Sequence, residues 1–116
     1  MDMQTNLDRE ALATLEAKAE EAARLLGTLA NPKRLLALCH LLEGEKSVGQ
    51  LAGLVGLAPT ALSQHLARMR DLRLVETRRT GQTIHYRLAS PALAQLLATL
   101  HGIYCAPAPA EAALSA

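Results

Sequence analysis

Leu12, Leu15, Ala19, Ala22, Leu26 and Leu29 alternate spacings of three and four along the chain. That pattern is an a/d seam, and it predicts one helix over residues 8–29 that packs against another helix. The two central alanines would let the partner approach closely. Asn31-Pro32 marks a fresh start, since Asn31 can cap and Pro32 fits the first helical position. Leu35, Leu38, Cys39 and Leu42 then fall at i, i+3, i+4 and i+7, which puts Cys39 in the apolar stripe of the second helix. Glu43-Gly44 ends that helix. Ser47 can cap a short helix over VGQLAGLV, and Gly56 breaks it. The next helix starts near Pro59, with Leu62, Leu66 and Met69 on its inner face. Thr60, Ser63, Gln64, His65 and Arg68 fall largely on its polar side.

The period then changes. LVETRR and TIHYRLA carry β-branched or aromatic residues in partial alternation, with Thr80-Gly81-Gln82 between them, and predict a hairpin with a basic tip. Pro91 opens a last helix whose stripe is Leu93, Leu96, Leu97, Leu100 and Tyr104, and Ala106-Pro107 ends it. Three segments follow: a flexible N-terminus over 1–7, one domain over 8–105, and a disordered Pro/Ala tail over 106–116. No internal repeat is evident. A short helix followed closely by a second is a helix-turn-helix, and a hairpin after it makes a wing. The expected fold is mainly α (α+β): a winged helix-turn-helix of about five helices with a two-stranded wing.

Charge sharpens this picture. The net charge is only +1, but residues 64–90 hold six arginines (Arg68, Arg70, Arg73, Arg78, Arg79, Arg87) against Asp71 and Glu76. Arginine suits two-pronged contact with phosphate or guanine. In a major groove Gln64 can pair with adenine and Arg68 with guanine or phosphate. Thr60 and Ser63 can bond phosphate oxygens, and Arg78 and Arg79 suit phosphate or minor-groove contact. His65 and the turn residues Gln82 and Thr83 complete the candidate set. Each of these side chains taken singly is more often just solvated. Their coincidence within one stretch of the chain is what favours duplex DNA. The only aromatics, Tyr86 and Tyr104, form no stacking platform for single strands.

With 116 residues, half of them apolar, the chain suffices for one domain with a modest core. No apolar run is long enough for a membrane span, and the opening MDMQTNLDRE is no signal peptide, so a cytoplasmic protein is expected. The two cysteines are then not expected to form a permanent structural disulfide. No nucleophile–base pair with a binding loop is visible, so no enzyme is expected, and no cofactor.

The pieces ANPKR, ALSQHLARMRDLRLV and RRTGQTIHYRL resemble the ArsR/SmtB family of winged-helix repressors, over roughly residues 20–105. The resemblance implies a homodimer through the first and last helices. It also implies operator binding by the SQHL helix and the wing, with release on a signal. The chain departs from the family's metal sensors. A Cys-x-Cys pair expected near the third helix is replaced by Ser47 and Gly49, and PALAQLLATLHGIYC offers only His101 and Cys105 as last-helix ligands. Where relatives commonly begin the recognition helix with Ser, this chain has Ala58, losing a cap worth about 1 kcal/mol that Pro59 partly offsets.

Cys39 and Cys105, with GEKSVGQL and GIYC, resemble the persulfide-sensing (SqrR/BigR-like) subgroup. There two thiols are bridged by added sulfur and DNA is released, so the resemblance implies a persulfide or polysulfide as effector. Alone, Cys39 would read as a small core hydrophobe. Two cysteines on helices that the family fold packs together reverse that reading. Alternatives are a general thiol-oxidation sensor, a metal sensor using Cys39, His101 and Cys105, and a winged helix that binds only protein. His40 follows Cys39 by about 100° on a helix, so the two cannot easily face one ion.

Overall fold

The computed structural model describes residues 8–105. The expected flexible N-terminus (1–7) and Pro/Ala tail (106–116) lie outside the described residues. Six helices and a small antiparallel sheet follow in the order α1 (Arg9–Ala17), α2 (Ala19–Leu29), α3 (Pro32–Leu42), β1 (Lys46–Ser47), α4 (Val48–Val55), α5 (Pro59–Asp71), β2 (Val75–Thr80), β3 (Thr83–Leu88) and α6 (Pro91–Tyr104).

Most boundaries are made by the residues that signal them. Asn31 Oδ1 accepts from the N–H groups of Lys33 and Arg34, both at 3.0 Å, and Pro32 follows at the first helical position. Ser47 and Gln50 form a reciprocal capping box at the start of α4. Gly56 ends α4 with φ +72, a conformation that a Cβ would strain. Ser90 caps α6 through the Leu93 N–H at 3.1 Å. Arg73 takes the left-handed conformation (φ +61) just past α5, where the Leu74 N–H reaches back to the Met69 carbonyl at 2.9 Å.

The expected single helix over 8–29 is two helices. At Lys18 the backbone leaves helical geometry (φ −110, ψ 12), and its N–H is shared between the Thr14 and Leu15 carbonyls. Apolar spacing does not register such a break, because neither Gly nor Pro makes it. The hairpin is as expected, with Thr80 opposite Thr83 and Gly81 (φ +62) first in the two-residue turn. A third strand joins it: β1 pairs with β3, Lys46 opposite Tyr86 and Ser47 opposite His85, giving the order β1-β3-β2. Two residues are too few to show alternation in a sequence.

The core lies between α3, α4, α5, α6 and the base of the sheet. Leu38, Leu51, Leu62, Leu66, Met69, Leu93 and Leu97 are wholly buried. Two expectations about inner faces change. On α3 the buried residues are Ala37, Leu38 and Leu41, with Leu35, Cys39 and Leu42 half-buried beside them. On α6, Tyr104 is 80 % exposed, because the helix has by then run past the core. The helix α1 buries no residue, and Leu12, Leu15 and Leu26 of the expected seam are exposed. Leu25, Thr28 and Leu29 instead turn α2 towards the domain.

Candidate nucleic-acid interface and thiol pair

The helix α5 is held from behind. Leu62, Leu66 and Met69, on one side of the helix, have no exposed surface. Successive residues turn by about 100°, so Thr60, Ser63, Gln64 and Arg68 occupy the opposite side, and all four are exposed. His65 sits at the margin between the two sides and is half-buried. Ala58, at the cap position, makes no side-chain cap bond, and Pro59 takes the first helical position. The preceding turn is tied down by a contact the sequence did not suggest. Lys33 Nζ donates to the Val55 carbonyl at 2.6 Å and satisfies an open carbonyl at the end of α4.

The hairpin places its two arginines on opposite faces, because side chains alternate along a strand. Arg79 stands opposite Ile84 and continues the row of Thr77 and Val75. It is exposed, and among the described residues it has no ion-pair partner. Arg78 stands opposite His85 and belongs to the other face with Glu76 and Thr80. Its guanidinium is engaged. Nε lies 3.1 Å from both carboxylate oxygens of Glu45, Nη2 lies 2.6 Å from Oε1, and Nη1 bonds Thr80 Oγ1. Arg78 thereby holds the Glu45 carboxyl below the usual carboxylate range, with smaller help from His85 and Arg87. Arg87 pairs across the strands with Glu76 at 2.7 Å. Gln82 and Thr83 are exposed at the tip.

Sequence reading missed Glu45. It lies in the connection after α3, 33 residues before its partner, and no periodicity links the two. The only hint was an acidic residue in a connection ahead of a strongly basic hairpin.

The two cysteines sit on helices that pack together. Cys39 of α3 is half-buried against the core, and Cys105 caps α6, where its N–H bonds the His101 carbonyl at 2.8 Å and its side chain is exposed. Both are free thiols. Burial pushes the Cys39 thiol above the ordinary cysteine range, and a negative charge on Cys105 pushes it the same way. His101 is exposed on the last turn of α6. Among the described residues no three Cys, His, Asp or Glu side chains gather as a metal site would need, so Cys39, His101 and Cys105 are not brought together as a ligand set.

The sequence model described as "Bacterial regulatory protein, arsR family" matches residues 31–77, from the cap of α3 into β2. The biofilm growth-associated repressor of Xylella fastidiosa is 43 % identical over 105 residues, covering 90 % of both chains. The crystal structure of the transcriptional repressor BigR from Xylella fastidiosa superposes with a TM-score of 0.75 at 45 % identity, covering 81 % of this chain and 96 % of that one. Reduced HlyU from Vibrio cholerae superposes with a TM-score of 0.76 at 42 % identity, covering 80 % of this chain and 98 % of that one. The helix-turn-helix, the wing and the helices around them therefore share both sequence and fold with these regulators. The chain belongs to the arsR family of bacterial regulatory proteins, transcriptional regulators of winged helix-turn-helix fold.

Proposed function

We propose that this protein is a homodimeric repressor that binds a duplex operator when its thiols are reduced and releases it when Cys39 and Cys105 are bridged by sulfur. The observation that carries the reading is the thiol pair: two free cysteines on packed helices of the same domain, in a fold whose DNA-reading side is exposed. Residues 8–105 act as the functional unit. The face formed by Thr60, Ser63, Gln64 and Arg68 enters the major groove, with His65 at its edge, while Arg78, Arg79, Gln82 and Thr83 serve the backbone beside it. A relative named as a biofilm growth-associated repressor supports the repressor half of the reading.

Exposed apolar surface supports the dimer. The helix α1 and Leu26 present an apolar seam with no counterpart in the domain, and Ile103 (64 % exposed) and Tyr104 extend apolar surface at the end of α6. A second copy supplies the helix that such a seam requires.

The sulfur chemistry balances with an organic trisulfide, RSSSR, as oxidant. The exposed Cys105 thiolate attacks the central sulfur and expels one RS⁻. Cys39, as thiolate, then attacks that same inserted sulfur and expels the second. Two protein thiols become one trisulfide bridge, and two RSH leave with the protons. An inserted sulfur also spans sites too far apart for a direct disulfide, which needs Cα atoms within about 7 Å.

The test is a gel shift of reduced protein on promoter and random duplexes, before and after trisulfide, peroxide and zinc, with the bridge read by mass spectrometry. Promoter-selective binding lost with trisulfide and regained with dithiothreitol supports the reading. A tenfold loss requires only about 1.4 kcal/mol of coupling. Cys39→Ser and Cys105→Ser should each bind DNA, form no bridge and keep their DNA binding in trisulfide. Release by zinc alone would establish the metal sensor instead, and release by peroxide alone a general oxidation sensor. Absence of any DNA shift would leave a protein-binding winged helix.

A further inference from the structure

The arginine on the outer face of the wing does not stand free. Three contacts join the Arg78 guanidinium to Glu45, two at 3.1 Å and one at 2.6 Å, and a fourth joins it to Thr80. A carboxylate that meets Nε and Nη2 side by side uses the same fork of donors that a phosphate would use. The other wing arginine, Arg79, faces the opposite way. Glu45 is anchored independently of the wing tip, since Lys46 and Ser47 directly after it pair with β3. The Arg78 side chain is still 52 % exposed and the Glu45 side chain 27 %, so solvent and ligands reach the pair.

We propose that Glu45 is an internal competitor for DNA: its carboxylate occupies the phosphate-binding fork of Arg78 in the free protein, and a backbone phosphate must displace it. Glu45 thereby lowers operator affinity without touching a base. Its effect falls equally on specific and non-specific sequences, because phosphates carry no sequence information. The inference rests on the DNA-binding reading above and adds to it a residue that sets affinity. Direct hydrogen bonding of the carboxylate to both Nε and Nη2 separates this role from simple charge repulsion, which would need only proximity.

The experiment is DNA binding against salt concentration for the wild-type protein, Glu45→Gln, Arg78→Ala and the double variant, on promoter and random duplexes. In the wild-type complex the displaced Glu45 carboxylate takes up counterion charge that offsets what the Arg78–phosphate contact releases, so removing it steepens the log K against log salt slope by up to about 0.9 and raises affinity by up to about fivefold at 0.15 M salt. Glu45→Gln is expected to do both, on promoter and random DNA alike. In the Arg78→Ala background the same substitution should change little, because nothing is left to release. An equal gain in both backgrounds would show that Glu45 acts by repulsion alone and would overturn the inference. Weaker binding by Glu45→Gln would also overturn it, and would show that Glu45 holds Arg78 in place for DNA. Wild-type protein that binds no duplex removes the DNA reading and this inference together. Wild-type binding with no gain in Glu45→Gln removes the inference alone.

Discussion

Lys33, on the first turn of α3, donates from Nζ to the main-chain carbonyl of Val55 at the end of α4. The bond spans 22 residues and is part-buried. It satisfies one of the carbonyls that a helix end leaves open, and it locks the turn that aims α5. Lys33→Met keeps the apolar stem and removes the donor. It is expected to cost about 1 to 2 kcal/mol of stability. Urea denaturation checks this, and an unchanged midpoint would show that water replaces the lysine at no cost.

The start of α5 carries a deficit that can be repaired. Ala58 has extended backbone angles (φ −64, ψ 144) suited to a cap residue but offers no acceptor. Ala58→Ser is expected to stabilise the fold by about 1 kcal/mol. Thermal melts at fixed protein concentration should show a rise of about 4 °C or more. A lower melting temperature would mean that a serine at this position fails to reach the N–H groups of the first turn.

The two thiols should react in a fixed order. Cys39 is half-buried with its thiol pushed above the ordinary range, while Cys105 is exposed. A raised thiol favours the neutral form in the fold. Its contribution to stability is therefore full below the ordinary thiol pKa of about 8.5, and it is lost as pH rises through the higher folded value. At pH 8, iodoacetamide should label Cys105 first, and labelling of Cys39 should accelerate only at higher pH. Cys105→Ser removes the second cause of the shift, so the Cys39 labelling curve should move to lower pH while staying above that of a free thiol. Mass spectrometry over time reads both, and equal rates at the two sites would contradict the placement of Cys39.

The apolar seam gives a test of the dimer. Leu26 is 56 % exposed and no part of the core, so Leu26→Glu should leave the monomer fold intact. Placed in an apolar interface, the carboxylate would be desolvated, and dimerisation should weaken at least tenfold. Sedimentation equilibrium with circular dichroism on the same samples separates the two effects. A dimer of wild-type strength would place the interface elsewhere.

Much of this molecule was written in stretches of a few residues. Asn31, Ser47 and Pro91 announce helices, Gly56 ends one, and Gly81 turns the hairpin, because caps and turns are made by neighbours in the chain. The inner face of α5 was equally legible, since Leu62, Leu66 and Met69 recur at the helical period, and the polar face opposite them followed from it. The exposed seam was also readable as a seam, although the sequence could not show that nothing in its own domain covers it. The break at Lys18, the pairing of Lys46 and Ser47 with β3, the lysine that closes α4 and the carboxylate that grips Arg78 were not legible. Each depends on where the fold brings distant segments or how one residue bends the backbone, and neither leaves a period or a motif. The sequence by itself determined most element boundaries, the inner face of α5 and the residue types available for DNA and for thiol chemistry. Only the tertiary structure decided which arginine is engaged and how deeply each thiol is buried, because contact and burial are properties of packed elements and not of any one of them.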